Sequence, residues 1–169
     1  RKSALSHPNL LVHLVSPVPG KFYLQTPLAR GGISKRPDNM RDVLKAAKLP
    51  VLKNVWLGTS VESADYVDRI KILRTIPAKV RFISFEPLLG AVGKPNLSGI
   101  HWAIVGGESG PSARAMDADW VTAIQENCEK YNTAFFFKQW GGVNKKKSGR
   151  TLNGRTWDEY PEQLLVAAE

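Results

Sequence analysis

The sequence predicts an α/β fold, a mostly parallel sheet whose strands are joined by crossover helices. Three observations carry this. Four short apolar runs, at 55–61, 79–85, 100–105 and 134–137, are rich in β-branched and aromatic residues. They hold few charges, as strands buried on both faces do. Between them, 63–75 and 118–131 carry apolar residues at three-to-four spacing, so strand and helix alternate.

The elements follow in chain order. Residues 1–20 are poorly patterned; 9–15 read as a short strand or buried turn, ended by Ser16-Pro17-Val18-Pro19-Gly20. Residues 21–26 (KFYLQT) have the composition of a strand. Pro27 and the Gly31-Gly32 pair then read as a break. Over 37–48, Pro37 suits the first helical position and Asp38 the positive end of the helix dipole. Met40, Val43, Leu44 and Ala47 supply its stripe, and Leu49-Pro50 stops it. Strand 55–61 leads into helix 63–75, with Tyr66, Val67, Ile70 and Leu73 on one face. Strand 79–85 leads into a loop over 87–97. Strand 100–105 is closed by Gly106-Gly107. Asp117 caps helix 118–131, which buries Trp120, Ile124 and Cys128. Strand 134–137 precedes Gly141-Gly142, a polar and basic stretch over 144–155, and a short amphipathic helix near 161–168. Trp56, Trp102 and Trp120 are expected in the core.

With 169 residues, 43% of them hydrophobic, the chain has the size and apolar content of one domain. No apolar run reaches the roughly 18–20 residues of a membrane helix, and residues 1–7 resemble no signal or transit peptide. A soluble, cytoplasmic protein with no membrane partner is expected. Cys128 stands alone, which excludes an intrachain disulfide, a Cys-based zinc site and a cluster built by this chain unaided. His7, His13 and His101 lack metalloprotease spacing, leaving only an oxygen-ligand metal site open.

The net charge is +9 and unevenly spread. Residues 1–53 hold ten Lys and Arg against Asp38 and Asp42, whereas 54–137 hold eight against nine acids. Basic ends suit an anionic partner, nucleic acid being the commonest, and a solubilising excess is the alternative.

In parallel α/β folds, ligand groups gather at the carboxyl ends of the strands. Thr59, Ser60 and Glu62 follow the first run; Ser84 and Glu86 the second; Gly106, Gly107, Glu108 and Ser109 the third; Lys138, Gln139 and Trp140 the fourth. One pocket rim is expected, with Glu62, Glu86, Glu108 and Lys138 converging. Carboxylates there could bind an amine, a ribose hydroxyl or a metal, or act as general bases. Lys138 could offset their repulsion or meet a phosphate or carboxylate. The competing reading is that Glu and Ser only begin the next helix, which is strongest for Glu62. The string VGGESG (105–110) allows close backbone approach to a ligand, with a plain loop as its rival. Lys145, Lys146, Lys147, Arg150 and Arg155 lie near Trp140 and Trp157, a mixture that can bind phosphates and stack on bases, or remain a solvated loop. Cys128 and His101 read as packing residues.

The strings NVWLGTSVES (54–63), VRFISFEPLLG (80–90), WAIVGGESGP (102–111), AMDADWV (115–121), FFFKQWGG (135–142) and GRTWDEYP (154–161), in this order, together resemble a phage- and prophage-associated family of uncharacterised proteins related to radical S-adenosylmethionine enzymes. SKRPDNM (34–40) is similar to that family's Lys-Arg-Pro segment. The resemblance implies the later part of a radical-SAM-like partial (β/α) barrel, divided into a poorly matched segment 1–33, a core 34–142, and a basic tail with a short helix over 143–169. It implies that Ser60, Glu62, Glu86, Gly106, Gly107, Glu108, Lys138 and Gln139 face the cofactor or substrate. In such enzymes a CxxxCxxC loop holds a 4Fe–4S cluster that cleaves S-adenosylmethionine to a 5′-deoxyadenosyl radical. That loop is absent here, and the Gly31-Gly32 break stands in place of a strand. Neither cofactor is therefore expected to work with this chain alone, unless a missing N-terminal half is supplied. The expected function is an incomplete radical-SAM-like protein, inactive alone, whose family would modify a nucleic acid or related substrate through S-adenosylmethionine radical chemistry. A non-enzymatic nucleic-acid-binding or interaction protein, or a structural subunit, is the alternative. An open half-barrel exposes strand edges, so a protein partner or homo-oligomer is expected.

Overall fold

The computed structural model describes residues 13–18, 21–25, 30–48, 50–52, 54–144 and 148–161. Its elements are β1 (His13–Val18), β2 (Lys21–Gln25), β3 (Arg30–Ser34), α1 (Pro37–Ala46), β4 (Val55–Ser60), a 3-10 turn (Ala64–Tyr66), α2 (Asp68–Arg74), β5 (Val80–Phe85), β6 (Trp102–Gly106), α3 (Ala118–Tyr131) and β7 (Ala134–Gln139). One sheet holds the strands in the order β1-β2-β3-β4-β5-β6-β7. The first two pairings are antiparallel and the four from β3 to β7 are parallel. The α/β class with a parallel sheet and crossover helices is what the alternation in the sequence requires.

Four local expectations change. Gly31 and Gly32 do not break the chain: they lie inside β3, paired with β2 on one side and β4 on the other. Two ladders satisfy that backbone, and this outweighs the weak strand preference of glycine. The segment 1–33 therefore supplies strands to the sheet. Ser16-Pro17-Val18 does not end β1 but belongs to it, across an irregularity between Val15 and Val18; a proline is tolerated at such a bulge. The helix expected over 63–75 is divided into the 3-10 turn and the shorter α2, and Tyr66 is exposed. In α1 the buried side is Met40 and Leu44, while Val43 faces water. By contrast, α3 is bounded as its sequence says. The Asp117 carboxylate accepts from Asp119 N–H at 2.9 Å, and Asn132 ends the helix in the left-handed conformation at φ 51°.

All three helices lie on one face. Ile70 and Leu73 of α2, Val121, Ile124 and Cys128 of α3, and Met40 and Leu44 of α1 pack on Leu57, Ile83, Phe85, Val105, Phe135 and Phe137. The alternate residues of the same strands build a separate helix-free cluster of Ile33, Trp56, Val80, Phe82, Trp102, Ile104 and Phe136. Strands in sequential order, with every described helix on one side, differ from a doubly wound sheet, which reverses its order and carries helices on both faces.

Strand register stacks the helix-free face in layers. Ile33, Gly58, Phe82, Trp102 and Ala134 form one row, and Ser60, Ser84, Ile104 and Phe136 the next. Phe82 leans over Gly58, where an added Cβ would meet its ring at 2.5 Å. Trp56 and Trp102 stand edge to face at 6.0 Å although β5 lies between their strands. Two strand spacings are about 9.6 Å, so these rings incline toward each other, as on a concave surface.

The free edge of β7 is occupied by the chain's own later residues. Phe137 N–H donates to Trp157 O at 3.0 Å and Glu159 N–H to Phe135 O at 3.1 Å. Trp157 packs edge-on against Phe135, Tyr160 against Trp102, and Trp102 Nε1–H donates to Glu159 O at 2.9 Å. On that side the strand edge is thus paired without a partner chain. The terminal helix expected near 161–168 lies outside the described residues, apart from Pro161.

Candidate functional site at the carboxyl ends of the strands

β4 and β5 change character at the same height, where β6 and β7 still carry Ile104 and Phe136. On the concave side, β4 runs Trp56, Gly58, Ser60; β5 runs Val80, Phe82, Ser84, and Glu86 follows. Rings give way to hydroxyls, and hydroxyls to charge. Ser60 and Ser84 are register partners on neighbouring strands, 3% and 2% exposed.

Beyond them stands an ion pair. Lys138 Nζ lies 3.0 and 3.1 Å from the two oxygens of Glu86. Gly106 sits between their strands, and a Cβ there would come within 3.1 Å of the Glu86 carboxylate. The missing side chain is what lets Glu86 reach across β6 to Lys138. The turn after β5 is tied down on both sides: Leu88 N–H donates to Gly106 O at 2.9 Å and Leu89 N–H to Glu62 O at 2.8 Å. The carboxyl ends of β4, β5 and β6 are thereby joined into one rim.

Glu62 is a second charged centre, 4% exposed. Lys35 Nζ lies 2.6 Å from one oxygen and Arg69 Nη1 2.9 Å from the other. Arg69 also donates to Ser60 O at 2.9 Å and stacks over Tyr66. Glu62 is therefore neutralised from β3's end and from α2, rather than directed to Glu86.

Glu108 turns to its own partner too. Arg114 donates from Nε and Nη2 to its two oxygens, each at 2.9 Å, and Arg114 N–H adds a third bond at 2.9 Å. This fork holds the Glu108 carboxyl down at about 2. Of the four groups expected to converge, the structure joins Glu86 to Lys138 and gives Glu62 and Glu108 separate cations. Among the described residues no cluster of three or more His, Cys, Asp or Glu could hold a metal.

The VGGESG string works by backbone packing. An added Cβ on Gly107 would overlap the Trp140 carbonyl oxygen. Gly107 N–H donates to Gln139 O at 3.0 Å and Gly142 N–H to Glu108 O at 2.7 Å. Gln139 Nε2 donates to Ser109 Oγ at 2.9 Å. Two glycine-rich loops thus interlock, and this accounts for Gly107 and Gln139 without a ligand.

Of the proposed nucleic-acid contacts, Lys145, Lys146 and Lys147 lie outside the described residues. Arg150 pairs with Asp158 and lies over Phe136, and Arg155 stacks on Trp157 at 3.5 Å. Arg150 holds the 148–161 segment against β7, and Arg155 acts within that segment. His101 Nδ1 accepts from Arg81 N–H at 3.0 Å, and burial with the nearby Arg81 charge lowers its basicity. Cys128 lies under α3, its thiol pushed well above the usual range by burial.

The sequence pattern missed Lys35, Arg69 and Arg114. Arg69 and Arg114 lie seven and six positions after the glutamates they bind, in the segment that follows the same strand. A cation at that distance from a strand-end Glu is the signal that was available.

Residues 32–161 match a family described as "Protein of unknown function (DUF5131)". No curated protein matches the chain, and no solved structure does. The match spans more than half of the chain, which therefore belongs to this family.

Proposed function

We propose that this member of the DUF5131 family supplies the later arc of a radical S-adenosylmethionine-like barrel, and that its Glu86–Lys138 mouth binds the nucleoside-bearing cofactor. The observation that carries this is the singly wound parallel sheet ending in that ion pair over Gly106. An iron–sulfur cluster does not fit the residues present: Cys128 is the one cysteine in the sequence and its sulfur is buried under α3. No cluster-dependent step is assigned to this chain.

S-adenosylmethionine fits better, because the mouth offers groups of both signs and, beside them, the buried hydroxyl residues Ser60 and Ser84. When bound, it brings an adenosyl group, an amino-acid head and an activated carbon–sulfur bond. Glu86 would accept hydrogen bonds from ribose hydroxyls or the ammonium. Lys138 would hold that carboxylate in place and could donate to a carboxylate of the ligand. Ser60 and Ser84 would donate or accept as the ligand requires. The rows of rings below would exclude water from the floor. With a net charge of +9, an anionic substrate, nucleic acid foremost, suits the protein.

Isothermal titration of the chain with S-adenosylmethionine and S-adenosylhomocysteine tests this. Saturable one-site binding is expected, weakened at least about tenfold in Lys138→Met and in Glu86→Gln, a loss of about 1.4 kcal/mol. Absence of binding, or equal binding by both variants, would overturn it. After anaerobic incubation with iron and sulfide, and then with S-adenosylmethionine and dithionite as electron donor, the chain alone should form no 5′-deoxyadenosine; its formation would contradict the reading that this chain holds no cluster.

A further inference from the structure

We infer that the helix face carries a docking groove for an acidic, amphipathic segment of another protein. It lies on the sheet face opposite the Glu86–Lys138 mouth and is independent of the ligand bound there. Its origin is a mismatch of lengths. β4 and β5 have six residues each, about 20 Å of strand. α2 has seven, about 10 Å of helix after the 3-10 turn, and ends at Arg74, beside the recess. Between α1 and the 75–78 corner the helix layer stays open over a recess of about 1000 Å³.

The floor of this recess includes Leu44, Val55, Leu57 and Ile76, and its lip is Val51 and Leu52. Val51 and Leu52 are 53% and 51% exposed. Adjacent apolar groups on a concave surface favour an apolar occupant over water. The charge of the rim selects which one. α1 contributes Arg41 and Lys45 against Asp42, Lys48 follows just past its end, and Asp42 is already bound to Arg41 at 2.9 Å. Lys45 and Lys48 form no ion pair among the described residues. A helix with apolar anchors at i, i+3 and i+4 fills the floor, and acids beside those anchors meet the lysines. A nucleic acid offers the charge without the apolar face, and a basic helix is repelled.

The test uses the full chain and two fluorescein-labelled 14-residue peptides. Both carry leucine at i, i+3, i+4 and i+7; one carries glutamate at its other positions, the second lysine. In fluorescence anisotropy at low salt, the glutamate peptide should saturate. Binding should weaken at least about fivefold in Leu52→Asn and in the Lys45→Glu/Lys48→Glu double variant, and with added salt. All three positions are exposed, and unchanged thermal unfolding would establish that the variants remain folded. Failure to saturate, equal binding by the variants, or equal binding of the lysine peptide would overturn the inference. So would sedimentation showing a wild-type dimer that Leu52→Asn makes monomeric, because the occupant would then be a second copy.

Discussion

The concave face of the sheet has two halves built on the same strands, and they obey different rules. Toward the amino ends, Trp56, Phe82 and Trp102 interlock ring against ring, with Phe136 one row higher against Trp102, and Trp102 and Phe82 are wholly buried. Toward the carboxyl ends, the same alternation delivers Ser60, Ser84, Glu86 and Lys138. The lower half is held by buried area and shape, the upper half by paired charge. Where one gives way to the other is where packing stops and recognition can begin, since parallel sheets bring ligands to their carboxyl ends.

Substitution should separate the two halves. Trp102→Ala removes the ring at the centre of the lower layer and the Nε1–H bond to Glu159 O. A loss of about 3–5 kcal/mol in urea unfolding is expected; a loss below about 1 kcal/mol would mean that the layer is not packed as described. Gly58→Ala drives a methyl into the Phe82 ring and should cost about 1–3 kcal/mol. An unchanged denaturation midpoint would show that Phe82 does not lie over β4.

The upper half should respond less in stability and more in binding. Lys138→Met leaves the Glu86 carboxylate, 15% exposed, without its cation. A destabilisation of about 1–2 kcal/mol is expected, partly recovered in the Glu86→Gln/Lys138→Met double variant. Additive losses in that cycle would show that the two side chains do not interact.

The smallest effect concerns Glu108. Its carboxyl titrates at about 2 because Arg114 holds the ionised form, below the ordinary value of 4.5. A depressed carboxylate contributes stability that is present above the unfolded value and is lost as the pH falls toward about 2. Arg114→Ala should raise the Glu108 midpoint toward 4.5 and flatten that part of the acid limb. Carbon-13 NMR of the side-chain carboxyl reads it directly, and an unmoved midpoint would place the cause elsewhere.

The two halves were also unequally legible in the sequence. β4 to β7 and α3 stand out because a buried parallel strand is a short apolar run and a capped helix carries its own boundary residue, here Asp117. β3 was hidden: its glycines signal a turn locally, and only pairing with β2 and β4 makes them a strand. The strand-end glutamates and Lys138 were visible as residue types, but Lys35 was not, and neither was the pairing, because Lys35 reaches Glu62 from the end of another strand and Lys138 reaches Glu86 across β6. Which carboxylate meets which cation depends on sheet order and register, and neither is written in local spacing. The glycines of the VGGESG string suggested a ligand cradle for the same reason; the Trp140 backbone that fills the space comes from a distant loop.

The most direct test is to follow backbone amide and indole resonances while S-adenosylhomocysteine is titrated into the nitrogen-15-labelled chain. Shifts should concentrate at Ser60, Ser84, Glu86, Gly106 and Lys138, with the Trp56 and Trp102 indole signals nearly still. Shifts centred on the indoles or on the helix face, or none at saturating ligand, would contradict the assignment of recognition to the charged half.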